Sequence, residues 1–188
     1  MTAGFYKRGG LFLDRDGVVN VDRGYVHRPD EIEFVPGIFD LGKAAMRLNL
    51  PIMIVTNQSG VARGLYSQAQ FGDLMAWMLA RFAAAGVAIA HVEHCPWYPA
   101  DDVDDIWRRD SFWRKPAAGM LLRAASAVNV DPTRSVMIGD RPGDVEAGRA
   151  VGVAQTIFFA HGVANGPDHG ADHRCSDHRQ VIEVLENL

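Results

Sequence analysis

Leu11-Phe12-Leu13-Asp14-Arg15-Asp16-Gly17-Val18-Val19-Asn20 opens on a short apolar run and breaks into two acids and a glycine. Three consecutive bulky apolar residues leave no polar face, which predicts a buried central strand of a parallel sheet. If the extended geometry persists through Asp16, a period of two puts Asp14 and Asp16 on the same side. Like charges at the open end of a strand repel each other, so the pairing is unfavourable unless a cation or a reaction uses it. Taken alone, these residues also fit a strand end whose acids simply face solvent.

The flanking chain repeats the theme. Val21 to Val35 is polar and turn-rich, too short for a cap domain, and predicts a small hairpin flap (residues 20–35) over the strand end. Pro36-Gly37 opens a helix with Ile38, Leu41, Ala45 and Leu48 at helical spacing, closed by Asn49 and Pro51. Ile52 to Val55 reads as a second buried strand running into Thr56-Asn57-Gln58-Ser59-Gly60, a set of hydroxyls and amides suited to an anion. Ser67, with Gln70 in capping-box position, starts a long helix whose buried stripe is Phe71, Leu74, Met75, Met78, Leu79 and Phe82.

A weaker strand, His91 to Cys95, leads into an aromatic-rich loop (residues 96–114) with Trp97, Tyr98, Trp107, Phe112, Trp113, Asp101, Asp102, Asp104, Asp105 and Asp110. So long a loop is uncommon unless functional. Lys115-Pro116 follows, with the proline expected in the first turn of the next helix. Ser135 to Ile138 is a fourth strand, ending in Gly139-Asp140-Arg141-Pro142-Gly143-Asp144. A fifth strand from Gln155 to Phe159, a short one near Cys175 and a helix from Asp177 to Glu186 complete the chain.

Strands alternating with helices predict an α/β fold: a doubly wound, Rossmann-like, mostly parallel sheet with helices on both faces and no large cap. At 188 residues a single domain spanning 1–188 is expected, with 48% hydrophobic content adequate for one core. A net charge of −4 gives no footprint for nucleic acid or an acidic membrane surface. Cys95 and Cys175 make no disulfide framework, and no run approaches the ~20 apolar residues of a membrane span. The start of the chain, with Lys7 and Arg8, carries no apolar region fit for a signal peptide, so a cytoplasmic monomer is expected.

In a doubly wound sheet ligands bind at the carboxyl ends of the strands. Asp14, Asp16, Thr56, Asn57, Lys115, Asp140 and Asp144 all fall at or just beyond such ends. Several carboxylates with few soft ligands suit Mg²⁺ and a phosphate ester. Asp14 is the candidate nucleophile, forming an aspartyl-phosphate, and Asp16 the acid that protonates the leaving oxygen and later activates water. Thr56 and Lys115 would hold the phosphoryl oxygens and Asp140 would complete the metal site.

Asp14-Arg15-Asp16-Gly17, Thr56-Asn57-Gln58, Lys115-Pro116 and Gly139-Asp140 with Asp144 resemble the four motifs of the haloacid dehalogenase superfamily phosphatases. More narrowly, the Phe12–Gly17, Asn20–His27, Val55–Gly64 and Arg114–Pro116 stretches are similar to the D-glycero-D-manno-heptose 1,7-bisphosphate phosphatases, relatives of histidinol phosphatase. The likeness spans about Leu11 to Val153. It implies Mg²⁺ held by Asp14, the Asp16 carbonyl and Asp140. It also implies a small phosphate ester, most readily a heptose bisphosphate, faced by Asp22, Arg23, Gly24, Tyr25, Thr56, Asn57, Gln58, Ser59, Arg114 and Arg141. The same chemistry serves histidinol phosphate or another sugar phosphate, and a non-catalytic sugar-phosphate binder is the reading from a different class. That family usually carries a zinc site before its Arg-Lys-Pro motif, but here Trp97, Ser111 and Trp113 replace three of the ligands around Cys95. One thiolate cannot make a four-coordinate structural site, so zinc is not expected and the aromatics are expected to fill its volume.

Overall fold

The computed structural model describes residues 8–101, 103, 106–163 and 165–188. Asp102, Asp104 and Asp105 of the aromatic-rich loop, and Lys7, lie outside the described residues. Six strands form one parallel sheet: β1 (Leu11–Leu13), β2 (Ile52–Asn57), β3 (Ile89–Cys95), β4 (Val136–Gly139), β5 (Gln155–Phe159) and β6 (His173–Cys175), in the order β3-β2-β1-β4-β5-β6. The helices are α1 (Ile38–Arg47), α2 (Ser59–Ala62), α3 (Gln68–Ala84), α4 (Gly119–Val128), α5 (Pro142–Val151) and α6 (His178–Glu186). The expected doubly wound architecture is therefore present. The chain steps outward from β1 to β3 and then returns to the other side of β1, so β1 and β4 flank the switch point where such sheets bind ligands.

The apolar run of β1 serves both faces. Leu11 and Leu13 pack into a core with α1, α3 and α6, through Ile38, Leu41, Phe71, Leu74, Met78, Phe82, Val181 and Leu185. Phe12 points the other way, into a second core with Met120, Leu121 and Ala124 of α4 and Ala147 of α5. Burial of each such side chain contributes about 1.5–3 kcal/mol, so β1 is firmly held at the centre. Its register is fixed on both sides, with Leu13 opposite Ile54 of β2 and Ile138 of β4.

Four local expectations change. First, β1 stops at Leu13, and Asp16 instead bridges to Asn20 in a tight loop. Gly17, at φ +86, permits that loop, so the period-two argument for the two acids does not apply. Second, the flap is a hairpin only at its base, where Val21 N–H donates to the Glu33 carbonyl (2.8 Å) and Val35 N–H to the Val19 carbonyl (3.0 Å). Its limbs meet at one antiparallel bridge, Asn20 with Phe34, and its tip is a 3-10 turn at Pro29–Glu31. The Glu31 carboxylate accepts the N–H groups of His27 (2.9 Å) and Arg28 (3.1 Å), satisfying within the turn donors that a hairpin would pair across.

Third, Leu48 lies past the end of α1 and is exposed. Fourth, Pro116 is not in a helix: Lys115–Pro116 is a cis peptide, Ala117 N–H closes a turn on the Arg114 carbonyl (2.8 Å), and α4 starts at Gly119. The capping box of α3 forms as expected, with Ser67 Oγ accepting from Gln70 N–H (3.1 Å) and Gln70 Oε1 from Ser67 N–H (2.8 Å). Leu79 of its stripe is only half-buried. Among the described residues no helix is long and apolar enough to cross a membrane.

The chain's end is tied to the flap's base through His178. Its imidazole is fully buried, stacks on Phe159 (4.5 Å between centroids) and bonds through Nδ1 to the Pro36 carbonyl (3.0 Å). Burial pushes its pKa below the ordinary 6.5; His161 adds to this, while Asp177 opposes it. Above pH 6.5 the ring is neutral in both folded and unfolded chains. As the pH falls below that, the unfolded chain takes the proton first, so folding stability falls. Native protein is thus expected to lose more stability between pH 7.5 and 5 than His178→Gln does, measured by thermal melts; equal losses would refute the assignment.

Candidate active site

The sheet's switch point brings together side chains far apart in the chain. Asp14 follows β1 directly and extends the ladder, its N–H donating to the Ile138 carbonyl (2.9 Å). Lys115 reaches in from the turn before α4. Its ammonium is buried and donates to Asp14 Oδ1 (2.8 Å), Asp144 Oδ1 (2.6 Å) and the Val55 carbonyl (2.7 Å), so all three protons are used. Asn57, at the end of β2, sets the lysine's main chain: Asn57 Oδ1 accepts Lys115 N–H (3.1 Å) and Asn57 Nδ2 donates to the Lys115 carbonyl (2.9 Å).

Asp14, Asp140 and Asp144 offer carboxylate oxygens that all lie within 4.8 Å of one another. Asp140 Oδ1 is buried without a hydrogen-bond partner, and a Cβ at Gly17 would collide with the Asp140 carboxylate. Burial pushes Asp14 up to about 8, against the pull of Lys115 and with Asp144 and Asp140 adding repulsion. Burial, then Asp144, pushes Asp140 up to about 7. For Lys115 burial works toward a lower pKa, but Asp14 and Asp144 outweigh it and hold the pKa up. One lysine thus does not balance three acids. An all-oxygen group with an unpartnered buried acceptor fits a hard divalent cation.

The carboxylate of Asp16 is not part of that group. Arg15, itself buried, grips it through Nε (3.1 Å) and Nη2 (2.8 and 2.9 Å), and Asn20 Nδ2 (3.0 Å) and Gln58 Nε2 (3.2 Å) add further bonds. Of the carboxylates expected at the metal, the fold brings Asp14 and Asp140 together and adds Asp144. Asp144 sits in the first turn of α5, where its Oδ2 also caps the helix by accepting Arg141 N–H (3.0 Å). A helix N-terminus favours such a negative charge. Its position four residues after Asp140 was the available signal.

A cleft of about 530 Å³ opens over Asp14, lined by Asp16, Asp22, Gly24, Tyr25, Thr56, Asn57, Gln58, Ser59, Arg114, Lys115 and Arg141. Tyr66 and Arg15 also line it, and neither was singled out from the sequence. Arg23 does not line it. This corrects the expectation for the whole Asp22–Tyr25 run: Arg23 is exposed on the flap's outer side and paired with Glu33. Arg141 and Asp22 form an ion pair (2.8 Å) that links the start of α5 to the flap across the mouth. Arg114 lines the cleft as well, its guanidinium on the Tyr98 ring (4.8 Å) and donating to the Trp97 carbonyl (3.3 Å).

The loop that carries Arg114 is organised by aromatic rings. Trp97 and Trp113 pack on the second core and Trp107 on the first, whereas Phe112 is exposed, so the expected filling is incomplete. Arg109 lies over Trp97 (4.0 Å), Arg63 over Tyr98 (4.6 Å) and Arg123 over Trp113 (4.9 Å). Cys95 is buried, with the Trp97 carbonyl 3.8 Å from its sulfur, and burial raises its thiol pKa.

The HAD-hydrolase-like family model matches residues 112–188. The D-glycero-beta-D-manno-heptose-1,7-bisphosphate 7-phosphatase of Vibrio cholerae is 40% identical over 152 residues, 81% of each chain. The D-glycero-alpha-D-manno-heptose-1,7-bisphosphate 7-phosphatase of Burkholderia mallei is 37% identical over 179 residues, 95% of this chain and 94% of its own. The crystal structure of D,D-heptose 1,7-bisphosphate phosphatase from B. bronchiseptica, complexed with magnesium and phosphate, superposes with a TM-score of 0.80 at 29% identity, covering 95% of this chain and 98% of that one.

Proposed function

Given that this chain belongs to the haloacid dehalogenase superfamily of phosphatases, in the heptose 1,7-bisphosphate phosphatase group, we propose that it removes the 7-phosphate of a D-glycero-D-manno-heptose 1,7-bisphosphate through an aspartyl-phosphate. The observation that carries the chemistry is Asp14: a carboxylate at the switch point, held by Lys115, facing Asp140 and Asp144 beneath a cleft. Mg²⁺ held by Asp14, Asp140 and Asp144 would supply the charge that keeps Asp14 ionised and stabilises the phosphoryl oxygens.

In the first half-reaction an Asp14 oxygen attacks phosphorus, the bond from phosphorus to the sugar oxygen breaks, and Asp16 gives that oxygen its proton. Thr56 and Lys115 hold the transferring oxygens. In the second, Asp16 takes a proton from water, the water oxygen attacks phosphorus, and the acyl-phosphate bond breaks to restore Asp14 and release phosphate. Both halves balance in protons.

The substrate assignment is supported by the named relatives and by the cations around the cleft. Arg114 and Arg141 both line the cleft, and Arg pairs well with phosphate, which supports a substrate carrying a second anionic group. The two curated relatives differ in anomer. The test is phosphate release from both anomers of heptose 1,7-bisphosphate, heptose 7-phosphate, histidinol phosphate and other sugar phosphates, each with Mg²⁺ and with EDTA. A bisphosphate is expected to give the highest kcat/KM, at least about tenfold above the monophosphates, since a charge-assisted pair contributes about 1.5–3 kcal/mol. EDTA is expected to abolish turnover. No preference for a bisphosphate defeats the substrate reading, and turnover in EDTA defeats the metal.

A further inference from the structure

Two buried side chains beside the cleft, Tyr66 and Gln58, make and break no bond in the reaction. Tyr66, between α2 and α3, is 5% exposed, and its hydroxyl donates to Gln58 Oε1 at 2.6 Å. Gln58, 2% exposed, spends its amide hydrogens on Asp16 Oδ2 (3.2 Å) and Thr56 Oγ1 (2.7 Å). Its main chain is pinned by Gln58 N–H donating to the Cys95 carbonyl (2.8 Å). The Tyr66 ring has a shaped seat. A Cβ at Gly60 would collide with the ring, and His27 of the flap stacks parallel to it, 5.0 Å away and tilted by 9°.

We propose that Tyr66 is a positioning residue that, through Gln58, aims Asp16 at the oxygen of the departing alcohol. The proposal rests on the reading of Asp16 as the general acid. Asp16's other partners, Arg15 and Asn20, come from its own loop, and Arg15 is itself anchored to the Val26 carbonyl of the flap (3.0 Å). Gln58 is the partner that ties the acid to the end of β2, where Thr56 lines the cleft. For that bond the Gln58 amide must present nitrogen, not oxygen, to a carboxylate.

The Tyr66 hydroxyl backs that orientation, donating to the amide oxygen while the acceptor-only Asp16 carboxylate takes the amide nitrogen. Burial raises the Tyr66 pKa to about 12, so it remains a donor throughout the working range. Without the hydroxyl, Gln58 Oε1 is a buried acceptor lacking its donor. The amide then loses the bond that fixes its plane, and its Nε2 bond to Asp16 lengthens or tilts. The acid is displaced by a fraction of an ångström, enough to slow proton transfer.

The test exploits the leaving group. An alcohol leaves poorly without a proton, whereas p-nitrophenolate leaves unaided. The quantity to measure is the ratio of kcat/KM for an alkyl sugar phosphate to that for p-nitrophenyl phosphate, because kcat/KM reads only the steps up to departure of the leaving group. In Tyr66→Phe, which keeps the ring and its stacking, the ratio is expected to fall about tenfold, a part of the 10²–10⁴ that a general acid contributes. Gln58→Met should reproduce that fall, and Asp16→Asn should exceed it, with all three variants checked by thermal melts.

If the ratio falls in Asp16→Asn but not in Tyr66→Phe or Gln58→Met, the positioning role is overturned while Asp16 keeps its part. A ratio unchanged in all of them, Asp16→Asn included, overturns the reading of Asp16 itself. Equal losses on both substrates in Tyr66→Phe would indicate packing alone and also overturn the proposal.

Discussion

Asp14→Asn is expected to lower kcat for every phosphate ester by at least about 10⁴-fold, the scale on which enzymes lose rate when a nucleophile is removed. That corresponds to about 5.5 kcal/mol of transition-state stabilisation. Asparagine keeps the shape of the side chain but cannot form the acyl-phosphate, so no partial route through this residue survives. The fold should tolerate the change. Lys115 keeps Asp144 and the Val55 carbonyl as acceptors, and a buried acid whose pKa is pushed up to about 8 is removed. Phosphate release by native and variant protein, with melting curves to show both folded, decides it. A folded variant retaining more than about one hundredth of native activity would falsify the covalent mechanism.

Lys115→Met is expected to damage stability and activity together. Removing one member of a buried charge group leaves the remainder uncompensated, at a cost of about 3–5 kcal/mol. For a domain of this size that lowers the melting temperature on the order of 10 °C. The carboxylates it pairs, Asp14 and Asp144, then face each other without the ammonium between them. Turnover should fall about 10²–10³-fold, as for the loss of one group stabilising developing charge.

The pH dependence has a definite sign. Asp14 is raised from 3.8 to about 8 even with the lysine present, so its contribution to folding is favourable below pH 3.8 and is lost as the pH climbs through 8. Without the lysine the rise is larger. The variant's deficit, measured by melts in EDTA, should therefore be smaller at pH 5 than at pH 8. An equal deficit at both would mean that lost packing, not lost charge, is responsible.

Both predictions concern residues that the amino-acid sequence itself marks out. Leu11 to Leu13 carry no polar face, and only a strand buried on both sides accommodates that. Asp14, Thr56 and Asp140 each lie at or just past the end of a strand whose pattern announces its type, and the parallel crossovers deliver all such ends to one edge. Asp144 and Tyr66 were harder to assign. Asp144 reads equally well as a helix cap, a role it does fill, and Tyr66 reads as loop. Arg23 shows the opposite error: adjacency to Asp22 and Gly24 suggested a shared role, yet the flap sends its side chain outward to Glu33.

What the chain by itself determined, then, was the order of the elements, the edge of the sheet that carries the chemistry and the kinds of group found there. These follow from periodicity and crossover handedness, which are local or nearly so. Only the tertiary structure decided which carboxylates face one another. The turn after β1 depends on Gly17 at φ +86, and the orientation of Asp144 depends on the cap of α5, more than a hundred residues away. The β1–β4 register, Leu13 opposite Ile138, sets those two turns side by side, and Lys115 enters between them from a third segment held by Asn57. Side-chain aim at a strand end is set by turn dihedrals and by neighbours remote in sequence, and no periodicity encodes either.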